Sequence, residues 1–438
     1  MTADRSPVHT VYGGAHLFSR ATPANLGAIA RRAFAAYAPD PATFAERIYL
    51  QAEHTHLAAP VHERVREKLD REPIEDFRID FEDGFGLRSD AEEDEWAERS
   101  AGELAALLAG EEDGDGAPPM VGFRIKTVND ATRARAVRTL ELFLTGLVRG
   151  LDGAGVEAGA VWPRFVVALP KLASASELAD LSGELDRLER ELGLPGGAVR
   201  VEIVAEHPHL LRCGAGGCEL GRCVEASGGR LTAAHFGPYD YLTMLGVTAA
   251  AQWLHHPMCT DARAVIQREL ALTGVRLVDG PTKLLPLEPH RAGKGASADS
   301  LTAEQVRANT EAVRAGWQAA YVDAAHSLAN GWHAGWDLHP AQLPARFGAV
   351  FAFYLATAGE AAERMRSFLD AAGRAATTRT GASARFDDAA SAAGVLAFFR
   401  QARASGALDE ADLETAGLAP EDLAPGMTFD RIVARRGG

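Results

Sequence analysis

Cysteine is scarce in this chain, with four in 438 residues, and so few rule out a disulfide framework as the source of stability. Three of them, Cys213, Cys218 and Cys223, fall in RCGAGGCELGRC at spacings unlike the CxxC pairs of zinc sites. A Gly-rich surface excursion carrying reduced thiols is the expected reading, with a bound metal as the alternative. Long apolar runs are also missing. No stretch approaches the roughly 20 residues that a membrane helix needs, and the opening MTADRSPVHTVYGG lacks the charged-then-apolar order of a signal peptide. Positive charge is in deficit, 45 Lys and Arg against 60 Asp and Glu for a net charge of −15, a surface that a nucleic-acid duplex or anionic bilayer would repel. A soluble, cytoplasmic protein that binds neither nucleic acid nor membrane is expected.

What remains is ordinary globular material, 47% hydrophobic and 24% charged, long enough for a large barrel with appendages. Alternating and β-branched clusters predict eight strands, near 10–18, 76–82, 119–126, 164–170, 199–206, 230–237, 272–280 and 332–338. Helix-period segments lie between them, at 24–37 with 41–70, 90–109, 130–149, 174–193, 240–254 and 302–329. In the fourth of these, Leu178, Leu181, Leu185, Leu188 and Leu192 recur at three- and four-residue steps, giving one apolar face. Eight such βα units fit a closed (β/α)8 TIM barrel, with an open doubly wound sheet as the fallback. The barrel is expected to span 1–345, with extra helices after the first strand. The Ala-rich residues 346–438 are expected to form a C-terminal α-helical domain closing over the barrel mouth. The segments 111–119 and 288–300 read as loops, the second placing His290, Arg291 and Lys294 among glycines, either as a lid for an anionic substrate or as a solvated loop.

In such barrels the chemistry comes from the C-terminal ends of strands. Those ends carry Asp80, Glu82 and Asp83; Arg124 and Lys126; Lys171; Glu206; Asp240; and His339. One ionised residue there is consistent with a salt bridge on the rim. Several carboxylates at one mouth repel one another unless a cation or arginine is shared among them. Glu206 and Asp240 on neighbouring strands suit a hard, oxygen-ligated Mg²⁺.

Seven segments, in order, resemble the family of the citrate lyase β subunit, malyl-CoA lyases and malate synthases. They are HLFSRATPANLGAIARRAF, RIDFEDGFG, VGFRIKTVND, VVALPKLASASEL, VEIVAEHP, AAHFGPYDYLTMLG and WHAGWDLHPAQL. Two details lean toward malate synthases: the DFED run followed by glycine, and FDDAASA at 386–392, which resembles the segment holding their catalytic base. The Cys-His-x-Arg-Gly segment of malate synthases is replaced by ELALTGVRLVDG.

The resemblance implies a barrel of the phosphoenolpyruvate/pyruvate-binding type. It implies Mg²⁺ or Mn²⁺ on Glu206 and Asp240, Arg124 stabilising an oxyanion, and Asp388 as the base. Asp80, Glu82, Asp83, Lys171 and His339 would contact the substrate or support those groups, and for His339 a neutral capping role on the rim is the alternative. The implied activity is carbon–carbon bond cleavage or formation between a 2-oxo acid and an enolisable acyl or CoA-thioester partner, with coenzyme A as a candidate co-substrate. Two rivals stand beside it: a retro-aldolase or 3-hydroxyacyl-CoA lyase using the barrel alone, and a catalytically silent barrel acting as a binding subunit. Small molecules are the expected partners, and a homo-oligomer is left open.

Overall fold

The computed structural model describes residues 6–50, 52–110, 116–214, 216–291, 300–374 and 389–436. Eight parallel strands close into a barrel: β1 His9–Gly14, β2 Asp76–Asp80, β3 Met120–Arg124, β4 Phe165–Leu169, β5 Arg200–Ala205, β6 Leu231–Phe236, β7 Arg276–Asp279 and β8 Ala334–Asp337. Each strand pairs with its neighbours in sequence, and β8 returns to β1 with Gly335 opposite His9. The expected TIM barrel is therefore the observed fold, with every expected strand present; the first starts one residue early, at His9, and ends at Gly14, and the others are trimmed by a few residues.

Alternation along the strands sorts the side chains. Phe77, Ile79, Val121 and Phe123 point outward to the helices, where Phe123 stacks on Phe143 at 4.0 Å between ring centroids. The intervening positions Asp76, Arg78, Arg124 and Glu202 are buried, polar and inside. Arg78 donates from Nε and Nη2 to Glu202 at 2.6 and 2.9 Å and also pairs with Asp76. His235 Nε2 lies 3.2 Å from the same glutamate, and Arg276 3.2 Å from Asp76. A fully buried charge survives only when paired in this way. The barrel floor is thus ionic rather than aliphatic.

The helices form where the apolar period and the end signals agree. Ser89 and Glu92 make a reciprocal capping box ahead of Asp90–Ala109, and Gly193, at φ +69°, ends Ala175–Leu192, whose buried face carries Leu178, Leu181, Leu185 and Leu188. Extra helices lie between β1 and β2 as expected, but as two, Pro41–Ile48 and Ala58–Arg71, with Tyr49 at φ +63° ending the first. Three places differ from expectation: the expected 41–70 segment is broken at 49–57, a helix Glu219–Ala226 that was not expected follows β5, and the helix after β6 is shorter. In place of 240–254, a short helix Pro238–Met244 stops before Gly246, at φ +79°, and the longer helix Pro257–Leu270 starts at a proline behind the His256 cap.

The expected boundary at 345/346 falls inside one continuous helix, Leu343–Arg374. Its first turns are buried against the barrel, where Arg346 donates to both Asp337 oxygens at 3.1 Å, while its later turns carry the helices Ala389–Ala404, Glu410–Thr415 and Phe429–Arg436. Among the described residues, no helix is long and apolar enough to cross a membrane. The cysteines are free thiols. Cys213–Gly214 and Gly217–Cys218 form a two-residue antiparallel ribbon after β5.

Candidate active site

A cavity of about 410 Å³ opens at the C-terminal ends of the strands. Asp80, Arg124, Glu206 and Asp240 all line it, together with Tyr12, Asp83, Gly237, Tyr239 and Trp336. The expected strand-end groups divide there into a paired set and an unpaired set.

Arg124 belongs to the paired set. Its Nε and Nη2 donate to the two Asp80 oxygens at 2.7 and 2.5 Å, a fork-to-fork pair. Asp80 is held in turn by the backbone N–H groups of Glu82 at 2.9 Å and Gly84 at 2.7 Å, so the Asp80–Gly84 run wraps its own first carboxylate. A Cβ on Gly84 would lie 2.6 Å from that carboxylate, which only glycine avoids. Burial opposes the guanidinium charge, but Asp80 outweighs it and holds Arg124 protonated above its ordinary range. Nη1 of Arg124 is buried and has no hydrogen-bond partner; Glu82 approaches it only to 3.5 Å. The ring of Tyr12 lies 4.9 Å from the guanidinium carbon and that of Trp336 5.6 Å, with 4.5 Å between the two rings. One donor of a rigidly clamped arginine is left over at the cavity wall.

Lys171 is also paired. It donates to Asp83 at 2.8 Å and closely to Glu82, so these three form an ionic triad on the rim. Its backbone sits at φ +52°, a strained value for a side-chain-bearing residue, and aims its N–H at Glu206 Oε1, 2.8 Å away. Burial pushes the Glu82 carboxyl up, and its neighbour Asp83 adds to the effect. Lys126, named at the end of β3, turns to Glu93 at 2.6 Å.

Glu206 and Asp240 are the unpaired acids. Glu206 is 3% exposed and receives one backbone N–H, and burial with the nearby Asp240 charge raises its carboxyl to about 8. No hydrogen bond to the Asp240 carboxylate is made among the described residues. Gly237 makes room for the pair, since a Cβ there would stand 2.4 Å from Glu206 Oε2. Two oxygen donors crowded at a cavity wall, one forced toward protonation, are the donor chemistry that a hard divalent cation fits.

His339 stands outside the cavity lining. Its Nδ1 accepts the Ala341 N–H at 3.2 Å, capping the turn Pro340–Gln342, and burial lowers its pKa, with Arg291 adding to the effect. Asp388, together with most of the 288–300 loop, lies outside the described residues. Tyr12, Trp336 and the ionic floor escaped the sequence reading. The signal was available in DFRID, where Asp76, Arg78 and Asp80 alternate with Phe77 and Ile79 and mark a charged inner row.

A family model described as a domain of unknown function, DUF6986, matches residues 1–432. The chain belongs to the DUF6986 family. No curated protein matches it. Among solved structures, this DUF6986 chain is similar to a citrate lyase from Burkholderia xenovorans at 20% identity and a TM-score of 0.52, over 81% of this chain and 91% of that one. A Haloferax volcanii malate synthase, solved as a lead(II) complex, aligns over 100% of this chain and 97% of its own at 13% identity and a TM-score of 0.45. The CitE protein of Mycobacterium tuberculosis, solved with magnesium and acetoacetate, aligns over 80% and 92% at 15% identity and 0.39. The likeness is one of fold: this chain shares its barrel fold with that citrate lyase.

Proposed function

We propose that this chain is a Mg²⁺-dependent carbon–carbon lyase or synthase acting on a 2-oxo acid such as glyoxylate or pyruvate and an enolisable acyl partner. The observation that carries the reading is the convergence, in one cavity at the strand ends, of two unpaired carboxylates, Glu206 and Asp240, with the leftover donor of Arg124. A silent scaffold has no use for repelling acids beside an unpartnered guanidinium donor. The citrate-lyase fold supports the same reading.

Glu206 and Asp240 hold the cation, with Mn²⁺ as a substitute. When bound, Mg²⁺ supplies the positive charge that polarises the carbonyl of a 2-oxo acid. Arg124 Nη1 then donates to the oxygen on which negative charge grows, and the Asp80 fork prevents the guanidinium from swinging away. Tyr12 and Trp336 form an apolar wall that keeps water from this donor. Glu82, Asp83 and Lys171 fix the rim and, through the Lys171 N–H, the orientation of Glu206. Asp388 is assigned the proton transfer at the carbon α to the acyl carbonyl. Coenzyme A as the acyl carrier belongs to the same proposal, as does a cytoplasmic setting.

A second reading, a retro-aldolase or 3-hydroxyacyl-CoA lyase, is favoured by one observation: every described group lining the cavity comes from the barrel. The two differ in their dependence on Asp388. The deciding experiment is calorimetric titration with Mg²⁺ and then glyoxylate or pyruvate, on the natural chain and on Asp240→Ala. The expected result is 2-oxo-acid binding that requires Mg²⁺ and disappears in the variant while the barrel stays folded. Binding that ignores both the metal and Asp240 would defeat the assignment.

A further inference from the structure

We propose that Cys213, Cys218 and Glu269 form a second site, remote in chemistry from the barrel mouth, for one thiophilic divalent cation of the zinc class. The two cysteines face each other across the ribbon after β5, with Cys213 directly opposite Cys218. Glu269 arrives from the last turn of Pro257–Leu270, placing Oε1 3.9 Å from Cys213 Sγ. The three donor atoms lie within 4.8 Å of one another. Among the described residues no other group of three or more His, Cys, Asp or Glu side chains converges this closely.

The geometry is one short contraction away from a coordination site. Zinc sits about 2.3 Å from sulfur and about 2.0–2.2 Å from a carboxylate oxygen, so the donors around a tetrahedral ion are about 3.5–3.8 Å apart. Closing the cluster therefore takes side-chain movements of roughly an ångström or less. The surroundings are shaped for it. Gly217, at φ +89°, turns the ribbon tightly enough to bring the thiols opposite each other, and Arg222 secures that turn by donating to the Gly216 carbonyl at 2.7 Å. Gly221 leaves the flank open, since a Cβ there would lie 2.9 Å from Glu269 Oε2.

The donor set also selects the ion. Two sulfurs and one carboxylate favour zinc over magnesium or calcium, which take oxygen. Binding releases one proton from each thiol to solvent, and the exposed Cys213 side leaves the fourth position to water. The nearest competing cation for the carboxylate is Arg268, 3.8 Å from Glu269 Oε1 and 63% exposed, a surface pair of little strength. Spacing along the chain hid the cluster, because the third ligand lies in the next βα connection, beyond β6. A bound ion would tie together the two connections that carry Glu206 and Asp240.

The test uses the full chain, reduced, stripped with a chelator and then saturated with Mg²⁺ so that the mouth is occupied. Titration with Co²⁺ should produce a thiolate-to-cobalt charge-transfer band that saturates at one equivalent and is abolished by Zn²⁺, with a rise in the thermal midpoint. Cys213→Ser, at an exposed position, should shrink the band, and Glu269→Gln should weaken cobalt binding by at least about tenfold. Circular dichroism checks that each variant folds, and either one alone suffices to decide. Absence of the band in the natural chain, or a band that neither variant alters, would overturn the site. So would a Cys213–Cys218 disulfide, seen as a mass lighter by two hydrogens, forming in air despite stoichiometric zinc.

Discussion

Replacing Glu206 by Gln should stabilise the cation-free protein at alkaline pH, an unusual outcome for removing a buried charge. The carboxyl is held at about 8 in the fold against an ordinary value near 4.5, so between those values the unfolded chain has lost a proton that the folded chain keeps. Stability must fall as pH rises through this window, by at most about 1.4 kcal/mol per pH unit, or roughly 5 kcal/mol in all. Relaxation of the cavity and entry of water will lower this, and about 1–3 kcal/mol is the expected gain for the variant at pH 8.5. Glutamine keeps an oxygen for the Lys171 N–H and offers an amide donor toward Asp240. The six tryptophans supply fluorescence for urea unfolding of both proteins across pH. The two curves should meet near pH 4.5 and separate as pH rises, with the variant above. Added Mg²⁺ should reverse the order at pH 8.5, because only the natural chain gains from the ion, by about 4.1 kcal/mol at a thousandfold excess over Kd. A variant less stable than the natural chain without Mg²⁺ at pH 8.5, or a gap that does not grow with pH, would refute the reasoning.

Arg124→Lys loses the fork to Asp80 and the leftover Nη1 donor, and should lower kcat by about 10²–10³ with a smaller change in KM, read from steady-state kinetics. Gly237→Ala would place a Cβ 2.4 Å from Glu206 Oε2 and 2.6 Å from its Cβ, so Mg²⁺ affinity should fall at least about tenfold in a calorimeter and the unfolding midpoint should fall as well. Asp388→Asn should retain Mg²⁺ and 2-oxo-acid binding yet lose α-proton exchange on the acyl partner, measured by deuterium incorporation; persistent exchange would point to the barrel-only lyase.

The barrel was legible because each strand is short and carries β-branched or aromatic residues between polar turns, a local pattern that tertiary contacts reinforce. The helix after β6 was not, since Leu242 and Val247 continue an apolar period through Gly246, and only the backbone there reveals the break. At the site, Asp80, Arg124, Glu206 and Asp240 stood out as charges at strand ends. Which were paired could not be read in advance, because Arg124 could have served any acid on the rim until packing aimed its fork at Asp80. Tyr12 and Trp336 look like core aromatics in sequence, and they become cavity walls only because the closed barrel turns those strand positions inward. Lys171 was expected to support the site, and it does so toward Glu206 through a backbone N–H at a left-handed residue, which side-chain chemistry alone does not reveal.

The unbroken helix Leu343–Arg374 gives the molecule a cantilever. At about 1.5 Å per residue it is roughly 48 Å long, well beyond what one barrel wall requires. Its root is bolted to β8 through Arg346 and Asp337, the residue next to Trp336, while the C-terminal helices load its free end. The helix thereby joins the C-terminal helices to the strand that carries the tryptophan beside Arg124. The same geometry bears on where the chain may be divided: a cut at 345 would separate Arg346 from Asp337 and leave that carboxylate buried without its partner.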